Sequence, residues 1–186
     1  MRVIAGKARS LPLKTPEGLD TRPTQDRIKE TLFNMLQTYI PGAVFVDLFS
    51  GSGGIGIEAI SRGASKAYFV ENAPKALSCI EHNLAFTKSR EYAIVLKQDA
   101  VAALHSIPES FVDVVFMDPP YHQEHEKRVF AALRDMKYVT EDTLIVVEAA
   151  LDTDFSYLEE YGFSLQKEKI YKTNKHVFIK KAGHRN

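Results

Sequence analysis

The chain has one cysteine, no tryptophan and no net charge. Each scarcity excludes something. Cys79 cannot form an internal disulfide, so packing must hold the fold, and a reducing, cytoplasmic setting is expected. No apolar run approaches the roughly 18 residues a membrane span requires, so no membrane partner is expected. Met1-Arg2-Val3-Ile4-Ala5-Gly6-Lys7 has no long apolar stretch behind its charge, so no signal peptide is expected. Internal repeats and low-complexity stretches are also missing. The absence of net charge is deceptive. Residues 1–30 carry seven Lys/Arg against four acids, a net of +3, and residues 165–186 carry seven against Glu168 alone, a net of +6; the remainder is therefore −9. Two basic ends on an acidic body are either solubilising charge or a surface for a polyanion.

What is present suits one domain with a sizeable core: 186 residues, 45% of them hydrophobic. Residues 1–40 read as an extension and residues 41–186 as the main domain. In the extension, Val3-Ile4-Ala5 and Leu11-Pro12-Leu13 suggest a short hairpin. Thr21-Arg22-Pro23-Thr24 suggests a turn with Thr24 as helix N-cap. Ile28, Leu32 and Leu36 then recur at helical spacing, and Pro41-Gly42 ends the helix.

From Val44 the pattern alternates. Strands are expected at 44–48, 67–71, 93–96, 112–117 and 143–147, with helices between them, and 163–171 with 175–180 as a closing hairpin. Continuous apolar strands separated by amphipathic helices indicate a mostly parallel seven-stranded α/β sheet covered on both faces, ending in an antiparallel hairpin. Such Rossmann-like folds bind ligands at the carboxyl ends of the strands.

Two motifs fall at those ends. Gly51-Ser52-Gly53-Gly54-Ile55-Gly56 satisfies G-x-G-x-x-G between a strand and a helix, which suits either a dinucleotide or S-adenosylmethionine. Asp47 just before it weighs against a pyrophosphate and toward a donor carrying a sulfonium and an ammonium. Glu71 suits ribose hydroxyls, and Asp99 an adenine amino group; Asp99 also reads as a helix N-cap. Phe49, Ser50, Asn72 and Ala100 complete the candidate cofactor set.

Asp118-Pro119-Pro120-Tyr121 follows the fourth strand and carries the expected catalysis. A nucleobase amino group is a poor nucleophile because its lone pair is delocalised. The Asp118 carboxylate and the Pro119 carbonyl can each accept one N–H and aim the nitrogen. Pro120 keeps Pro119 extended, and the Tyr121 ring offers a stacking platform for a base taken out of its helix.

His122 and His125 lack companions for a metal site, so no metal is expected. Arg22, Arg27 and Lys29 are candidate RNA phosphate contacts. The two basic ends are expected to meet and flank the cleft on its substrate side.

The motifs resemble a known family. Met1-Arg-Val-Ile-Ala-Gly-Lys7, Asp20-Thr-Arg-Pro-Thr-Gln-Asp-Arg27, Lys29-Glu-Thr-Leu-Phe-Asn34, Asp47-Leu-Phe-Ser-Gly-Ser-Gly53, Ser61-Arg-Gly-Ala64 and Asp118-Pro-Pro-Tyr121 together look like the bacterial RsmD family. The resemblance covers nearly the whole chain and implies transfer of methyl from S-adenosylmethionine to N2 of a guanine in small-subunit (16S) ribosomal RNA, free or in an assembly intermediate. It implies that Asp47, Gly51, Gly53, Glu71 and Asp99 surround the donor and Asp118 to Tyr121 the base. The tail departs from the family pattern at Tyr171-Lys-Thr-Asn-Lys-His176. Asp-Pro-Pro-Tyr taken alone also suits adenine-N6 methyl transfer on DNA or RNA. An NAD(P)-dependent oxidoreductase and a non-catalytic nucleic-acid-binding module are the readings from other classes.

Overall fold

The computed structural model describes residues 1–16 and 23–183. Thr21 and Arg22, read above as a turn and an RNA contact, lie outside the described residues, as does Arg185. Helix α1 spans Pro23–Met35. Thr24 therefore lies inside the helix rather than capping it; the fixed φ of Pro23 suits a first helical turn.

The main alternation is β1 (Val44–Leu48), α2 (Gly54–Ser61), β2 (Lys66–Val70), α3 (Pro74–Phe86), β3 (Ala93–Leu96), α4 (Ala100–Ser106), β4 (Val114–Met117), α5 (His125–Leu133) and β5 (Leu144–Ala150). The hairpin β6 (Phe163–Ile170) and β7 (Asn174–Lys181) closes the chain. Seven strands form one sheet in the order β3-β2-β1-β4-β5-β7-β6. The first five are mutually parallel, and β7 runs antiparallel to β5 and β6.

Strand parity divides the core in two, because successive side chains point to opposite faces. Val46, Leu48, Val115, Met117, Ile145 and Val147 face α4 and α5. Phe45, Phe69, Phe116 and Val146 face the other helices, together with Leu32, Phe33 and Leu36 of α1 and the turn after it. The first forty residues share this second cluster through Val3, Ala8, Leu13 and Ile40.

The expected N-terminal hairpin is looser than a pair of strands. It holds one antiparallel bridge, Arg2 with Pro12, and the Val3 N–H donates to the Leu11 carbonyl at 3.0 Å. Pro12 has no N–H to extend a ladder. Side-chain bonds dock the segment instead. The Glu58 carboxylate, fully buried on α2, accepts from the Ile4 N–H at 2.8 Å and the Ala5 N–H at 3.1 Å. Gly6 lies against Ser61 so tightly that a Cβ would come within 1.9 Å of its carbonyl oxygen.

Candidate active site

The strand order reverses between β1 and β4. From β1 the chain moves outward to β2 and β3; from β4 it moves the other way to β5. Crossovers leaving in opposite directions open a crevice beyond the carboxyl ends of these two neighbours. The glycine turn follows β1 and Asp118-Pro119-Pro120-Tyr121 follows β4, so both motifs face one crevice. It is a cavity of about 940 Å³. A second hollow, about 500 Å³ and lined by Phe155, Leu158, Glu168 and Lys175 among others, contains none of the motif residues.

The turn is shaped by residues in the left-handed region: Phe49 (φ 60°), Gly51 (57°) and Gly53 (85°). For the bulky Phe49 this conformation is costly, and such strain collects at functional sites. It sets the ring on the cavity wall, edge-on to His125 at 5.6 Å. Gly56 is required by packing, since a Cβ there would lie 2.4 Å from the Phe69 ring.

Asp47, expected among the residues around the donor, does not line the cavity. It shares strand parity with Phe45, which aims it beneath α2, where it is 1% exposed and accepts from the Gly56 N–H at 3.2 Å. Burial pushes its carboxyl up to about 8, and the Glu71 charge adds to the rise. Ser50 is also internal: its hydroxyl donates to the Asp47 carbonyl at 2.7 Å. Gly53 sits against Phe69 and Ile80. The other candidates, Phe49, Gly51, Glu71, Asn72, Asp99 and Ala100, line the cavity.

Glu71 is held by three amides. Its Oε1 accepts from the Gly51 N–H at 2.9 Å, and its Oε2 from the Asn72 and Ala73 N–H groups at 2.9 and 3.0 Å. Asp99 caps α4, with Oδ1 accepting from Val101 and Ala102 N–H at 3.0 and 3.2 Å. Among the described residues only Oδ1 is engaged, so Oδ2 is open to a ligand.

Asp118 is solvent-accessible, but through the cavity, where surrounding protein crowds it. Its carboxyl is raised well above the ordinary range, first by desolvation and then by the charges of Glu148 and Asp47. Pro119 is buried, while Pro120 and Tyr121 are exposed. The Tyr121 hydroxyl is pushed up to about 12 by burial, then by Asp118 and Glu148.

Glu148 went unread in the sequence, because it falls just past the apolar run expected as a strand at 143–147; β5 continues through it to Ala150. It lines the cavity with Gln25, Gln98, Val101, His125 and Arg128. His125 stands on this wall against the Phe49 ring, and among the described residues no group of three His, Cys, Asp or Glu could hold a metal. Gln25 and Arg128 carry no sequence signal, since helix packing alone brings them to the rim.

The expected RNA contacts separate. Arg27 is exposed on α1, close to Gln25. Lys29 is not a phosphate contact: it is 5% exposed, its ammonium stands 3.5 Å from buried Glu58, and its Nζ donates to the Arg2 carbonyl. Burial lowers its pKa, which Glu58 opposes. The C-terminal basic set is also split, so it does not flank the cleft as one patch. Asn174 pairs with Ala150 at the carboxyl end of β5, placing the Lys172 turn on the cavity side, whereas Lys180 and Lys181 lie at the opposite end of the sheet.

A family model described as conserved hypothetical protein 95 matches residues 1–180. The Haemophilus influenzae protein named ribosomal RNA small subunit methyltransferase D is 38% identical over 174 residues, covering 91% of this chain and 88% of that one. Its Escherichia coli K12 namesake is 33% identical over 172 residues, covering 91% and 84%. The solved structure of Escherichia coli yhhF superposes with a TM-score of 0.81 at 30% identity, covering 99% of each chain.

Proposed function

This chain belongs to the RsmD family, and from that membership together with the cavity we propose that it transfers a methyl group from S-adenosylmethionine to the exocyclic N2 amine of a guanine in small-subunit ribosomal RNA. The observation that carries the reading is the convergence of the glycine turn and Asp118-Pro119-Pro120-Tyr121 on one crevice.

The residues present fit S-adenosylmethionine better than a dinucleotide. Turn amides that would hold a pyrophosphate are already engaged: Gly51 N–H by Glu71, Gly53 N–H by the Ser50 carbonyl, Gly56 N–H by Asp47. Among the described residues, the cavity wall supplies four carboxylates, Glu71, Asp99, Asp118 and Glu148, against Arg128 as its one Arg or Lys. That surface favours a cationic ligand. Glu71 keeps acceptor capacity for ribose hydroxyls, and Asp99 Oδ2 for an adenine amino group. Asp47 acts from behind the turn, through its hold on Gly56. When bound, S-adenosylmethionine supplies an electrophilic methyl group.

The rest is done by this chain. Asp118 accepts one N–H of the target amine and the Pro119 carbonyl the other, which turns the nitrogen lone pair outward. Tyr121 stacks on the extruded base. The positive charge that develops on nitrogen is stabilised by the Asp118 carboxylate, whose raised pKa suits it to take the proton the methylated amine sheds. Residues 1–40 contribute phosphate contacts through Arg27, which orient the strand without reading its sequence.

The test is mass mapping of modified nucleosides in ribosomal RNA from cells with and without the gene. Loss of one N2-methylguanosine, restored by the purified protein, is expected. Unchanged N2-methylguanosine with a missing N6-methyladenosine would replace guanine by adenine.

A further inference from the structure

The site holds more acceptor capacity than methyl transfer to an amine requires. Asp118 and the Pro119 carbonyl already account for both amine hydrogens. Glu148 adds a second carboxylate on the same wall, at the cost of repulsion with Asp118.

Glu148 is not a stray surface acid. On β5 it is in register with His176 of β7. Its Oε1 accepts from the Asn174 side-chain amide at 2.8 Å, and its Oε2 lies 3.2 Å from His176 Nε2. His176 is 1% exposed, stands edge-on to Phe116 and Tyr171, and its Nδ1 is 3.2 Å from the Tyr171 hydroxyl. With the hydrogen on Nε2, both ring contacts are satisfied. Two donors anchored on β7 therefore lock the carboxylate, which still opens to the cavity. Anchoring that leaves acceptor capacity facing a cleft is the design of a recognition group.

The chemistry that this second acceptor selects follows from the bases. The pairing edge of guanine offers an N1–H beside its N2 amine: donors side by side. Adenine offers an N6 amine beside a bare N1, which is an acceptor. Two adjacent acceptors in the protein match guanine and oppose adenine, because an acceptor facing N1 of adenine leaves two lone pairs unpaired against each other.

We propose that Glu148, held by Asn174 and His176, accepts the N1–H of the target base while Asp118 and the Pro119 carbonyl accept its amine, and so makes the enzyme specific for guanine. This rests on the methyl-transfer reading above.

The experiment uses an RNA that the wild-type protein methylates and a copy with 2-aminopurine at the target. That analogue keeps the 2-amino group but has no N1–H. The wild type is expected to prefer guanine by about 10- to 100-fold in kcat/KM. In Glu148→Ala and Glu148→Leu, whose side chains cannot accept the N1–H, that preference should shrink to within about threefold, with most of the loss falling on the guanine substrate. Affinity for S-adenosylhomocysteine, measured by calorimetry, reports that each variant is folded. A wild type that accepts 2-aminopurine as readily as guanine would overturn the proposal without any variant. A preference unchanged in folded Glu148→Ala would also overturn it. If the wild type methylates no guanine amine, the methyl-transfer reading itself fails, an outcome distinct from both.

Discussion

Asp118 and Asp47 are both acids with raised pKa values, yet they do different work. Asp118 opens to the cavity beside Glu148; Asp47 is sealed beneath the glycine turn. Replacing Asp118 by Ala should lower methyl transfer on the order of a hundredfold or more while leaving S-adenosylhomocysteine affinity within about twofold. A near-normal rate in radiolabelled transfer assays would remove Asp118 from the catalytic role. Because its carboxyl titrates above the ordinary range, activity should rise with pH through that elevated value, as the acceptor ionises. Removing the Glu148 charge should move this acid limb to lower pH, but only in part, since desolvation is the larger cause. Asp47 has the opposite signature, in stability. Its folded pKa of about 8 lies above the ordinary 3.8, so the protein holds a proton there that the unfolded chain releases. Its contribution is present below about pH 4 and is lost as pH rises to about 8. Thermal melts across that window should show Asp47→Asn with a flatter pH dependence than the wild type. Parallel curves would mean that Asp47 is ionised in the folded protein.

At the scale of elements, Glu58 joins three pieces of chain. It lies on α2, meets Lys29 of α1 at 3.5 Å and Arg62 at 2.8 Å, and accepts two amides of the N-terminal segment. Truncating one partner of a buried pair strands the other, so Lys29→Ala should cost roughly 3 kcal/mol of unfolding free energy. Arg27→Ala, two residues away but exposed, should change stability by less than about 0.5 kcal/mol. Urea denaturation of both variants checks this; equal effects would contradict the buried role of Lys29. The contact between α2 and β2 is equally tight. A methyl at Gly56 meets the rigid Phe69 ring at 2.4 Å, so Gly56→Ala should destabilise by about 1–3 kcal/mol and loosen cofactor binding by displacing the turn.

For the whole molecule, the basic ends do not form one surface. Lys172 lies in the turn on the cavity side and Arg27 is exposed on α1, the helix that brings Gln25 to the cavity wall, while Lys180 and Lys181 sit at the far end of the sheet, where Lys180 lies over the Tyr39 ring and Lys181 Nζ donates to the Arg134 carbonyl at 3.1 Å. RNA approaching an acidic body needs positive charge beside the active edge. Arg27→Ala with Lys172→Ala should therefore weaken RNA binding and flatten its salt dependence. Lys180→Ala with Lys181→Ala should do neither. Equal losses from the two pairs in a salt titration would mean that RNA wraps both ends.

Much of this was legible in the sequence because the signals are local. Apolar runs between helical stretches mark β1 as Val44–Leu48 and β3 as Ala93–Leu96 to the residue, and the parallel sheet follows from that alternation. Gly51-Ser52-Gly53 and Asp118-Pro119-Pro120-Tyr121 stand out in the sequence because turn geometry and acceptor placement depend on neighbouring residues. The direction of Asp47 depends on which face of β1 becomes covered by α2. The fate of Lys29 depends on Glu58, 29 positions along the chain, and the role of Glu148 on a register with His176 that exists only once β7 pairs with β5. A sequence specifies neighbours along the chain, whereas burial and ion pairing are set by neighbours in space. The tertiary structure alone therefore decided which charges face the cleft and which hold the fold together.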